Sequence, residues 1–260
     1  MTRNSASLAL ALLLAAAAGA SAADKVLFIV AQKDFYYKEY DDPRQALETA
    51  GFQVVVAAPT MKPCVPHKNS GQGAASGEIK PDVTLEKAKA EDYRTIVFIG
   101  GWGASMYQYA FPGKYATSAY NLPKEQKEHV NRLVNEFYAA KKPLAAICHG
   151  VSALAWARVT IDGKLQSPLA GKRVASYEGN GPACEVEGKK YEPNVLPTRW
   201  HIEKNGATQL PAKMIGDITT DRDDVAADGG IITAQNYNSA AWFGRILAER
   251  LKESGAAGKP

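Results

Sequence analysis

Four stretches of this chain are apolar along nearly their whole length, and they restrict the fold more than any other feature. They are Lys25–Gln32 (KVLFIVAQ), Phe52–Ala58 (FQVVVAA), Asp92–Ile99 (DYRTIVFI) and Pro143–Ile147 (PLAAI). A strand with one wet face alternates apolar and polar residues. These do not alternate, so both faces must be covered. Helical patterns fall between them, over Glu39–Ala50 and Lys124–Lys141. Gly51 closes the first and Pro123 opens the second. Strands that alternate with helices and are buried on both sides predict an α/β fold, a doubly wound, mostly parallel sheet in a flavodoxin-like three-layer sandwich. Asp224–Gln235 predicts a hairpin turning at Asp228-Gly229-Gly230, Lys172–Tyr177 a further short strand, and Ala240–Lys252 a closing amphipathic helix.

Residues 1–23 are expected to stand outside this fold. Arg3 precedes an apolar run from Leu8 to Ala18, and Ala20-Ser21-Ala22 has the A-x-A pattern of a signal-peptidase site. The run is too short to span a bilayer comfortably. The expected product is periplasmic or secreted, begins after Ala22 or Ala23, and has no membrane attachment once the signal is cut. Cutting removes Arg3 and no acid, which lowers the formal net charge from +4 to +3. Residues 24–254 read as one domain with a Gly/Pro-rich insertion at about 179–200, and 255–260 as a disordered tail.

Composition excludes several partners. Lys and Arg alternate with Asp and Glu, so no basic stripe marks a nucleic-acid surface. No glycine-rich phosphate loop follows the first strand, so no organic cofactor is expected. Cys64-x-x-His67 offers two ligand types with nothing nearby to complete a zinc set, so no metal is expected. Three cysteines are too few for a disulfide scaffold. In an oxidising compartment, however, Cys64 and Cys184, both in Pro/Gly-rich loops, are a candidate pair that leaves Cys148 free.

In doubly wound sheets ligands bind beyond the carboxyl ends of the strands. Three segments fall there: the turn from Gln32 to Glu39, Gly100-Gly101-Trp102, and Cys148-His149-Gly150. Cys148 lies directly between a buried strand and a helix, the layout of a nucleophile elbow. Helix N–H groups and an imidazolium at His149 would favour its thiolate, so a depressed thiol pKa is expected. The competing reading is an inert core cysteine. The run Trp102, Tyr107, Tyr109, Phe111, Tyr115 and Tyr120 either walls the crevice or packs the fold.

Five features together resemble the DJ-1/PfpI superfamily over roughly Lys25 to Leu251: the apolar first strand, Glu39 four residues before Pro43, IGG at Ile99–Gly101, AICHG at Ala146–Gly150, and the DGGIITAQN hairpin before the last helix. The resemblance implies that Cys148 is a reactive cysteine and that Glu39 is a carboxyl hydrogen-bonded to it. It also implies that the N–H groups of Gly101 and His149 polarise a substrate carbonyl, with Gly100 and Trp102 beside them. The hydrolase and glyoxalase-III-like branches are similar to this chain in carrying His after Cys. The resemblance further implies a homo-oligomer.

The chain departs from the PfpI-like peptidase pattern at Ser105, where those peptidases carry a Glu that orients the histidine. Beyond the strand after the elbow stand Glu178, Glu185 and Glu187, of which Glu178 is the preferred third acid. His201-Ile202-Glu203 imitates the His-x-Glu pair of class I glutamine amidotransferases but sits in the wrong place, and reads as a solvated loop pair. The expected function is a cysteine-dependent enzyme acting on a small carbonyl or acyl substrate, with glyoxalase III-like or hydrolase-like chemistry. The alternative is a non-catalytic thiol redox sensor or stress-protective protein of the same fold.

Overall fold

The structure, a computed structural model, describes residues 25–179, 181–210 and 224–256. Seven strands form its central sheet: β1 (Lys25–Ile29), β2 (Gln53–Ala58), β3 (Val83–Thr84), β4 (Thr95–Phe98), β5 (Leu144–Ile147), β6 (Val225–Asp228) and β7 (Ile231–Ala234). Their order across the sheet is β6-β7-β5-β4-β1-β2-β3. Every neighbouring pair is parallel except the β6–β7 hairpin. All of β4 and β5, and all of β1 beyond Lys25, are buried, as the unbroken apolar runs require.

Five helices accompany the sheet among the described residues: α1 (Tyr37–Thr49), α2 (Lys124–Ala139), α3 (Val151–Trp156), α4 (Thr198–Lys204) and α5 (Ala240–Ala256). Helix α2 buries Val130, Leu133, Val134 and Phe137, the i, i+3, i+4, i+7 stripe of an amphipathic helix. Helices α1 and α5 lie in contact at Gly244, where an added Cβ would sit 2.6 Å from Cα of Pro43.

A smaller cluster of Phe111, Tyr115, Tyr120, Trp156, Cys184, Val186 and Leu196 lies apart from the main core. It is organised on a three-stranded antiparallel sheet of Gly113–Tyr115, Cys184–Val186 and Lys189–Tyr191. The Gly/Pro-rich stretch at 179–200 therefore contains a hairpin and the start of α4. The expected strand over Lys172–Tyr177 shrinks to Arg173–Val174. The N–H of Ala175 donates to Oγ1 of Thr233 and not to a strand carbonyl, which ends the ladder. Helix α5 runs to Ala256, two residues beyond the expected end of the fold. The export signal at 1–23 and residues 257–260 lie outside the described residues.

Two corrections concern the cysteines and a histidine. Cys64 and Cys184 are both buried free thiols. Cys64 sits in the main core, its sulfur 3.8 Å from the carbonyl of Val30, and Cys184 sits in the separate smaller cluster, so packing holds them apart. His201 is not solvated: it is 1% exposed on α4 and accepts a 2.8 Å hydrogen bond from the indole of Trp156.

The strand order reverses at β1. The chain moves outward to β2 and β3 on one side, then returns to β4 and β5 on the other. The carboxyl ends around such a reversal leave a crevice.

Candidate active site

The turn after β5 is sharp. Cys148 has φ +58°, a left-handed conformation that costs a non-glycine residue roughly 1–3 kcal/mol and is kept where the surroundings enforce it. Gly150 makes the turn feasible, since a Cβ there would lie 2.5 Å from the carbonyl oxygen of Phe98. The backbone N–H groups of His149 and Gly101 both face the Cys148 sulfur. Gly101 has φ +90°, and its Cβ position is filled by the backbone of Asp34, Phe35 and Tyr36. The N–H of Tyr36 donates to the Gly100 carbonyl at 3.0 Å, which ties the loop after β1 to the loop after β4.

Glu39 stands in the first turn of α1 and is fully buried. Neither carboxyl oxygen makes a hydrogen bond of full geometry. The groups facing the carboxyl are the Cys148 thiol and the backbone at Tyr237. Gly100 lies against both partners: an added Cβ would come within 2.2 Å of Oε2 of Glu39, 2.6 Å of Cβ of Cys148 and 2.8 Å of the Ile147 carbonyl. Gly100→Ala is therefore expected to cost roughly 1–3 kcal/mol of stability and to change the alkylation rate of Cys148. Thermal unfolding and iodoacetamide kinetics on the same sample would show both effects; if neither moves, Gly100 does not hold the pair together.

Burial without a salt-bridge partner pushes Glu39 up to about 8. Burial, and then the Glu39 carboxylate, push the Cys148 thiol well up, while the N–H groups of His149 and Gly101 pull it down. This corrects the expected depressed thiol. No imidazolium supports it, because burial lowers His149 to about 4 and leaves the ring neutral at pH 7. Repulsion lets the buried Cys148–Glu39 pair carry one negative charge far more readily than two.

Among the described residues the histidine has no acid beside it. Its Nε2 lies 2.7 Å from the hydroxyl of Ser105 and its Nδ1 2.7 Å from the hydroxyl of Thr198. Glu178 does not serve as the third acid. Its Oε1 accepts from Arg199 at 2.9 Å, and α4 inserts Thr198 at the position a triad acid would take. His201 stands perpendicular to His149 with ring centroids 5.9 Å apart.

Cys148, His149, Glu39, Gly101 and Trp102 line one cavity of about 280 Å³. Asp34, Tyr36, His67, Tyr120, Tyr177, Asn236 and Tyr237 complete the lining. Tyr36 and Tyr237 stack at 5.1 Å, and the hydroxyl of Tyr120 donates to Asp34 at 2.7 Å. The aromatic run divides between both expected roles. Trp102 and Tyr120 wall the cavity, whereas Tyr107 is fully buried and donates to the Val30 carbonyl. Sequence reasoning placed Ser105 at the position that faces the histidine, and it missed Asp34, Tyr36, Tyr177, Tyr237 and the Thr198 hydroxyl on His149. The only available signal was their place at strand ends, and for Thr198 there was none.

An uncharacterized protein of Methanocaldococcus jannaschii is 29% identical over 230 residues, which cover 88% of this chain and 83% of its own. Among solved structures, a ThiJ/PfpI domain protein of Brachyspira murdochii superposes with TM-score 0.60 at 17% identity, covering 90% of this chain and 99% of that one. Glyoxalase III of Candida albicans superposes with TM-score 0.57 at 14% identity, covering 88% and 98%. Identities this low establish a shared fold. The DJ-1/PfpI family model matches residues 24–250, and the chain belongs to that family.

Proposed function

We propose that this chain is a cysteine-dependent enzyme that converts a small 2-oxoaldehyde to a 2-hydroxy acid, with Cys148 as nucleophile and Glu39 as the proton carrier. One observation carries the reading: a fully buried carboxyl faces a thiol at a strained elbow under two backbone N–H groups. The pattern of residues 1–23 supports work outside the cytoplasm.

The chemistry balances without an outside oxidant. The Glu39 carboxylate takes the thiol proton as sulfur bonds to the aldehyde carbon, and the carbonyl electron pair moves to oxygen. The N–H groups of Gly101 and His149 hold that oxyanion, which then takes the proton back from Glu39. Glu39 next removes the hydrogen of the former aldehyde carbon and returns it to the neighbouring ketone carbon, while the hydroxyl proton on the first carbon passes to the former ketone oxygen. One carbon is oxidised and the other reduced, leaving a 2-hydroxy thioester. Water cleaves the thioester to the 2-hydroxy acid and frees the thiol. His149, neutral and held by two hydroxyls, positions the elbow.

The test is turnover of methylglyoxal and phenylglyoxal, followed as 2-hydroxy acid formed. Wild type should turn over, and Cys148→Ser should lose on the order of 10³ or more in rate, since a serine beside a buried carboxyl is a far weaker nucleophile. Turnover that survives Cys148→Ser overturns the proposal. Absent turnover, with Cys148 gaining oxygen under mild peroxide, would instead establish the thiol sensor.

The pH dependence separates the two candidate bases. With Glu39 as base, kcat/KM should rise with pH through about 8 as the carboxylate forms. A base at His149 would give a rise near 4, where burial places the ring. A pH–rate profile on methylglyoxal decides between them.

A further inference from the structure

The reacting end of the cavity is defined by Cys148, Glu39 and two N–H groups, and Asp34 lines the same cavity. Asp34 has φ +56°, and the Tyr120 hydroxyl holds one of its carboxyl oxygens at 2.7 Å. It makes no ion pair among the described residues. The rings of Trp102, Tyr36, Tyr177 and Tyr237 line the same cavity, and Tyr120 is the ring in contact with Asp34. The chain holds 31 Lys and Arg against 27 Asp and Glu, yet no Lys or Arg lines this cavity among the described residues. The lining charge thus runs against that of the whole molecule. A carboxylate without a cation in a cavity walled by aromatic rings attracts a positive partner, and the π-faces attract the same partner.

We propose that the cavity selects a carbonyl compound whose non-reacting end is cationic, such as an ammonium group, with Asp34 as the specificity-determining residue. The reacting carbonyl would lie under the N–H groups of Gly101 and His149, and the cation would lie toward Asp34 and the rings. A substrate with a carboxylate at that end would meet Asp34 with like charge and no compensating base except His67 at the exposed rim. This selectivity rests on the proposed carbonyl chemistry only for its reacting end, so binding can be tested without turnover.

The experiment uses the full chain carrying Cys148→Ala, which binds without reacting. Calorimetry compares choline with 3,3-dimethylbutan-1-ol, which has the same shape with carbon in place of the charged nitrogen, and with the anion 2-hydroxyethanesulfonate. Choline should bind at least about tenfold tighter than its neutral isostere, and the anion weakest. Adding Asp34→Asn should bring choline and its isostere within about twofold of each other and leave the isostere's affinity unchanged. Equal binding of choline and the isostere in the Cys148→Ala protein, tighter binding of the anion, or no binding by any of the three overturns the inference.

Wild-type turnover separates the two proposals. If no 2-oxoaldehyde is turned over but the binding order holds, the enzyme reading falls and cation selection stands. If turnover is real but a carboxylate-bearing 2-oxoaldehyde outruns an ammonium-bearing one, cation selection falls alone.

Discussion

Glu39→Gln is expected to lower kcat/KM on a 2-oxoaldehyde by on the order of 10²–10⁴, the range for losing a positioned acid–base group, and to make the folded protein more stable at pH 8. Both effects follow from the same burial. In the unfolded chain the carboxyl ionises at its ordinary value of 4.5; in the fold it ionises at about 8. Between those values the unfolded state releases a proton that the folded state keeps. Stability is therefore lost as pH rises from 4.5 to about 8. At 1.36 kcal/mol per unit the loss is roughly 4–5 kcal/mol by pH 8. A glutamine has no proton to keep, so the variant escapes this loss. Denaturant unfolding at pH 5 and pH 8 would show the two proteins diverging as pH rises. If their stabilities run parallel, the carboxyl is solvated or paired and cannot be the base proposed here.

Much of this site could be read in the sequence because the sheet does most of the placing. β1, β4 and β5 are apolar on both faces, so their burial follows from the sequence pattern, and the segments that leave their carboxyl ends must meet. That logic is enough to bring Glu39, Gly101 and Cys148 to one cavity. It failed where contacts come from outside the sheet. Ser105 faces the His149 ring at the position the resemblance indicates, but the second hydroxyl comes from Thr198, 49 residues away, and α4 has no pattern in sequence that points its first residue at the elbow. The search for a third acid at Glu178 assumed that a histidine needs a carboxylate. Here hydroxyls suffice, because a neutral ring in a buried site needs hydrogen bonds and not charge. The same oversight turned His201, which Trp156 holds in the interior, into a surface residue.

His149→Ala separates a structural histidine from a catalytic one. The side chain is fully buried, so truncation leaves a cavity and strips the Thr198 hydroxyl of its partner. A loss of roughly 2–4 kcal/mol at pH 7 is expected, combining the void with an orphaned polar group. The acid side has its own signature. His149 titrates at about 4 in the fold against 6.5 unfolded, so below 6.5 the unfolded state binds a proton that the folded state refuses. Stability of the wild type is thus lost as pH falls from 6.5 toward 4, and His201, also lowered by burial, adds in the same direction. The variant should show a shallower loss over that window. Its kcat/KM should keep the rise through about 8 that belongs to Glu39, at reduced amplitude because the elbow is less firmly held. His149→Asn, which can still hydrogen-bond at least one of the two hydroxyls, should recover part of both stability and rate. If the rise instead vanishes in His149→Ala and Asn restores nothing, the imidazole is the base. Glu39 would then be reduced to keeping a carboxyl, rather than water, against the sulfur.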